Sequence, residues 1–153
     1  MLAKINNQFF KKSLILFWAA WWIIALWTDV IGGFAHLGWV KGTWAPDTNM
    51  PYLIETLKMY HATVGVSVFF FICILCWSTL SSIAFCWASA AIGKNESIWM
   101  SRARIAYIVS LGFWLAFFLA DQLVMKFDLE QNHMVQGGFE LLSFLSMYLL
   151  PKP

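Results

Sequence analysis

Residues 13–40 read SLILFWAAWWIIALWTDVIGGFAHLGWV, and this stretch decides the class of the chain. It starts directly after Lys11 and Lys12, and no charged side chain interrupts it from Leu14 to Trp27. A helix needs roughly 20 mainly apolar residues to cross the hydrocarbon core of a bilayer, and this run exceeds that. A basic start before an apolar run also describes a signal peptide, but those apolar regions are shorter and end at a small-residue cleavage site. No A-x-A-like site ends this run, so a retained first span over residues 13–40 is expected.

Three further apolar runs predict spans over residues 62–92, 105–125 and 134–150. The first connection, Lys41 to Tyr60, contains Pro46 and Pro51, each of which disfavours helix at the residue before it. The stretch after Pro51, YLIETLKMYHA, is compatible with a helix lying in the membrane interface. Gly93 to Ser97 turns the chain into the third span. The polar stretch Lys126 to His133 leads to the fourth, which Pro151 stops. That last span is short and holds Gly137, Gly138 and Glu140, so an interfacial helix is its alternative. The expected fold is all-α: an integral membrane four-helix bundle, one polytopic domain over residues 1–153.

Composition supports this class. The 153 residues are 61% hydrophobic and only 12% charged, against about 25% charged in soluble domains. The net charge of +2, with no basic or aromatic-basic stretch, argues against nucleic acid as a partner. The expected surroundings are a lipid bilayer, with a membrane-protein partner or a second copy of the chain beside it. Orientation follows from the lysines and arginines, which favour the cytoplasmic side. With the N-terminus inside, Lys4, Lys11, Lys12, Lys94, Arg102, Arg104 and Lys152 fall inside, and only Lys41, Lys58 and Lys126 outside. Both termini are therefore expected in the cytoplasm of a cell whose inner membrane the protein crosses several times.

Three carboxylates lie within or at the edge of these spans: Asp29, Asp121 and Glu140. An acidic residue at the centre of a membrane helix costs roughly 2.5–3.5 kcal/mol even on forgiving insertion scales, so each needs a partner, a proton or a polar interior. Counted from Lys12 and Arg104, Asp29 and Asp121 both lie roughly 25 Å from the cytoplasmic boundary. Counted from Pro151, Glu140 lies roughly 16 Å from it, close to mid-bilayer. No lysine or arginine within a span is placed to pair with Glu140, so the neutral acid is its expected resting form.

Spacing gathers these residues with others. His133, Gln136 and Glu140 follow i, i+3, i+7, one helix face, with Gly137 and Gly138 between. Asp29 and His36 are also seven apart, with Gly32 and Gly33 between. Asp29, Asp121, Gln136 and Glu140 are thus the candidates for binding a proton or cation. His36, His61 and His133, all towards the outer side, are the candidates for a metal ion, since imidazole with carboxylate ligates zinc, copper and iron. Haem is the other cofactor such histidines can hold. Against both, no two histidines share a helix at i, i+4, and nothing like H-E-x-x-H occurs. The alternative for the whole set is a polar seam that hydrogen-bonds the helices together.

Other features carry less. Cys73 and Cys76 have C-x-x-C spacing, but with Cys86 they lie inside the second apolar run, and no loop cysteine could pass electrons on. They read as small apolar helix residues. Gly112, Ala116 and Ala120, and Ser78, Ser82, Cys86 and Ala90, recur every fourth residue and permit close helix approach. No G-x-S-x-G, Walker A or dinucleotide glycine motif is present. The sequence therefore points to a non-enzymatic membrane component, an accessory subunit or a proton- or cation-binding transport component with an outward-facing site. A metal- or haem-dependent oxidoreductase subunit is the alternative.

The charge asymmetry makes one direct prediction. A reporter active only outside the cytoplasm is expected to work when inserted between Lys41 and Met50, and to be silent when fused after Pro153. An active C-terminal fusion would mean that the last span does not cross.

Overall fold

The computed structural model describes residues 7–150. Lys4, Pro151 and Lys152, which entered the expectations for orientation and for the end of the last span, lie outside the described residues. The chain forms α1 (Asn7–His36), α2 (Asn49–Leu57), a single 3-10 turn (Lys58–Tyr60), α3 (Val64–Ser89), α4 (Glu96–Leu123) and α5 (Phe127–Leu149), with no strand among the described residues. α1, α3 and α4 are long and apolar enough to cross a membrane. α5 is more polar because its opening turns read FDLEQNH.

Helix limits differ from the apolar runs for local reasons. α5 begins at Phe127, ahead of the run at 134, and its first turn carries Asp128 and Glu130 at the positive end of the helix dipole. α4 begins at Glu96, well before 105, so Arg102 and Arg104 are helical. α1 stops at His36 because Gly38 adopts φ 72°, the left-handed conformation that reverses the chain at a helix end. Trp39 N–H then donates to Phe34 O at 2.9 Å and Gly38 N–H to Ala35 O at 3.0 Å. His61 and Met125 hold the same left-handed position after Tyr60 and after α4, at φ 52° and 53°. In α2, Pro51 sits in the first turn, where a missing N–H breaks no helical hydrogen bond.

α1 packs on α3, α3 on α4, and α4 on α5, whereas α1 and α5 meet mainly through long side chains. Phe17 and Trp18 of α1 reach Phe139 of α5 with ring centroids 6.0 and 5.7 Å apart. At one end of the bundle Lys11 reaches Leu150 and Gln8 reaches Glu96. At the other, the Tyr60 hydroxyl donates to the Leu123 carbonyl. The Lys11–Leu150 contact joins the start of α1 to the end of α5, so these two run antiparallel, whereas Gln8–Glu96 brings together the starts of α1 and α4.

Burial is inverted relative to a soluble domain. Leu16, Ile24, Phe69, Ile83, Leu115, Leu119 and Leu142 are exposed, while Ser67, Ser78, Ser81, Ser110, Ser143 and Glu140 are buried. An apolar exterior of this extent is unlike the small patches of soluble monomers. The core is aromatic, with Trp18, Trp22, Phe85, Trp99, Tyr107, Phe113 and Trp114 in one cluster. Of the small-residue stripes, Ser78 and Ser82 are buried, whereas Cys86, Ala90, Ala116 and Ala120 face outward. All three cysteines are free and exposed.

α4 and α5 are packed tightly at Gly137. A Cβ there would lie 2.9 Å from Trp114 Cβ and 2.9 Å from Phe118 Cζ, and the first of these cannot swing aside. At the neighbouring Gly138 a Cβ would meet nothing within 4 Å. G137A is therefore expected to destabilise the protein by about 1–3 kcal/mol through overpacking. G138A should be neutral or stabilising by about 0.5–1 kcal/mol, because alanine favours helix. Thermal unfolding of the two variants in detergent compares them.

Candidate functional site

Glu140 is fully buried on α5. Two helices supply its partners. From α4, Trp114 donates its indole N–H to Oε2 at 2.6 Å, and the Ser110 hydroxyl lies within hydrogen-bond distance of Oε1. From α1, Trp22 Nε1 approaches Oε1 at 3.4 Å. α3 joins indirectly, because Ser82 Oγ donates to the Trp22 carbonyl at 2.9 Å. Among the described residues no lysine, arginine or histidine lies within ion-pair distance of Glu140.

Ser110 has more acceptors than hydrogens. Its Oγ lies 3.0 Å from Ala106 O and 3.2 Å from Tyr107 O, besides Glu140 Oε1. A hydroxyl carries one hydrogen and two lone pairs. When Glu140 is ionised, Ser110 donates to it. When Glu140 is protonated, the acid donates to Ser110, which turns its hydrogen to the helix carbonyls. Both protonation states are thus fully hydrogen-bonded without any movement of heavy atoms. The neighbouring Tyr107 hydroxyl and Trp18 Nε1 are buried and have no partner among the described residues.

A second polar pair lies nearer the end where α4 stops and α5 starts. Asp121 is 3% exposed and its Oδ2 lies 2.5 Å from His133 Nδ1. The His133 ring packs on Phe117 and Trp114, with centroids 4.5 and 5.9 Å apart. Trp114 therefore touches both pairs, by its N–H to Glu140 and its ring to His133. On α4, Trp114 and Asp121 are seven residues apart; on antiparallel α5, His133 and Glu140 are also seven apart. The shared interval brings the helices together as two rungs.

The remaining sequence candidates lie apart from this seam. Gln136 is exposed. Asp29 Oδ1 accepts from Asn49 Nδ2 of α2 at 2.8 Å, beside a hollow of about 200 Å³ that Trp27, Trp44 and Asn49 help to line. His36 Nδ1 lies 2.8 Å from Asp47 Oδ2. His61 is an exposed left-handed residue at a helix end. His36 and His133 thus take separate carboxylates, and among the described residues no three of histidine, cysteine, aspartate and glutamate gather as a metal site. Sequence spacing missed Ser110, Trp114 and Trp22. The first two carried a signal, since Ser110, Trp114 and Asp121 fall at i, i+4, i+11, close to one face of α4.

W114F keeps an aromatic ring over His133 but leaves Glu140 Oε2 without its donor. A loss of at least about 1–3 kcal/mol is expected for a buried group deprived of its hydrogen bond. W44F, on an exposed ring, is the control and should be silent in the same unfolding measurement.

Compared with known proteins, the chain matches no family model, and no curated protein or solved structure is significantly similar to it.

Proposed function

We propose that the chain is a four-helix membrane protein with both termini in the cytoplasm, and that buried Glu140 takes up and releases a proton. It would serve in a transport or accessory component of the inner membrane. The observation that carries this reading is the shared Ser110 hydroxyl, which satisfies Glu140 in either protonation state. The donor set also selects the ligand. Two indole N–H groups surround the carboxyl together with the hydroxyl, and an indole nitrogen offers no lone pair to a metal ion. The bound species is a proton rather than a metal cation.

Several features support the orientation. Lys11, Lys12, Lys94, Arg102 and Arg104 fall towards one end of the bundle, against Lys41, Lys58 and Lys126 at the other. The 23 residues of α5 extend roughly 34 Å, enough for a fourth crossing despite its polar start. In this orientation the Asp121–His133 pair opens outward and Glu140 lies deeper, so protons reach the site from the outer side. Intramembrane ionisable residues facing a bundle interior commonly serve such relays.

Difference infrared spectroscopy on the purified protein tests this. The Glu140 carboxyl should interconvert reversibly between acid and carboxylate bands with pH, while circular dichroism shows an unchanged fold. The signal should vanish in E140Q and shift in S110A. If Glu140 keeps one protonation state throughout the pH range of the folded protein, the proposal fails.

A further inference from the structure

A cleft of about 530 Å³ opens at the end of the bundle where α1 and α4 begin and α5 ends. Lys11 and Arg104 line it, together with the apolar side chains of Met100, Met147 and Leu150. Lys11 is only 4% exposed. Its ammonium carries three donors, yet it donates to one backbone oxygen, Leu150 O at 3.0 Å. Among the described residues no carboxylate lies within ion-pair distance of it. Glu96 also borders the cleft, but its carboxylate accepts from Gln8 Nε2 at 3.2 Å and forms no ion pair with either cation. Arg104 donates from Nε to the Tyr148 hydroxyl at 2.8 Å, and its guanidinium lies 5.5 Å from the centre of that ring. Among the described residues the rest of its donor fork makes no hydrogen bond, which leaves it for a ligand. A buried cation without a counter-charge is costly, and an anion in the cleft would remove that cost.

We propose that this cleft binds a phosphate group carried by an anionic phospholipid of the adjacent leaflet. Among the described lining residues, two cations stand against one carboxylate, which selects a negative ligand, and an arginine fork matches phosphate oxygens. The source follows from the rest of the lining. Met100, Met147 and Leu150 give the cleft an apolar wall that suits the glycerol and first acyl carbons of a lipid, which a free anion would leave unused. Basic pockets between membrane helices hold anionic headgroups in this way. The site is separate from Glu140 and does not depend on its proton chemistry.

The test is native mass spectrometry of the delipidated full chain titrated with phosphatidylglycerol or phosphatidylcholine, with inorganic phosphate followed by calorimetry. Phosphatidylglycerol should bind about tenfold more tightly than phosphatidylcholine, because both carry the phosphate but only the latter brings a quaternary ammonium towards Lys11 and Arg104. K11M and R104Q should each lose that preference, and K11R should keep it, with folding checked by circular dichroism. Arg104 is exposed, so R104Q carries the test if K11M does not fold. Equal binding of the two lipids, or a preference unchanged in both variants, would overturn the proposal. Binding of inorganic phosphate without any lipid preference would overturn the lipid source and assign the cleft to a free anion.

Discussion

The need of one buried carboxyl group for hydrogen-bond partners organises this bundle. Glu140 has no cation beside it among the described residues, so its oxygens depend on neutral donors from α1 and α4. Through the Trp22 carbonyl the network extends to Ser82 of α3. One side chain therefore ties together the four long helices. Low surrounding polarity strengthens each bond in such a network and makes each missing one expensive. Two tryptophans of the aromatic core, Trp22 and Trp114, meet this demand, because tryptophan brings an N–H and a large apolar surface to the same place.

Trp114 shows how the packing and the chemistry are combined. Its N–H satisfies Glu140, its ring supports His133, and its Cβ sets the limit that only glycine at position 137 can meet. The polar seam between α4 and α5 thus has fixed geometry at the two rungs, while the Ser110 hydroxyl can rotate between its acceptors. A rigid frame around a rotating hydroxyl would suit the proton exchange proposed for Glu140, since the carboxyl could change charge without unfolding its surroundings.

Much of the fold was legible in the apolar runs, because a backbone enters an apolar solvent only with its polar groups hydrogen-bonded internally, as in a helix. Three of the four runs became helices long and apolar enough to cross a membrane, and the burial of Glu140 followed from its depth in the fourth. The side-chain partners were less legible. At 100° per residue, Gln136 lies about 40–60° from the line joining His133 and Glu140, and the structure leaves it exposed. His36 and Asp29 found partners in the first connection and α2, whose path depends on left-handed residues and prolines rather than on periodicity. Nothing in a linear pattern tells whether a tryptophan of α1 anchors at an interface, packs in the core or donates there.

The side-chain closure between α1 and α5 has a kinetic consequence. Most helix contacts join elements adjacent in sequence, a low-contact-order arrangement that assembles quickly and in step with synthesis. Glu140 is 26 and 30 residues from Trp114 and Ser110, but 118 from Trp22, and Lys11 is 139 from Leu150. The α4–α5 hairpin can therefore engage the carboxyl locally, and only the arrival of the last helix against the first completes its shell. Docking of α5 against α1 thus closes the side of the carboxyl shell that the α4–α5 hairpin alone leaves open.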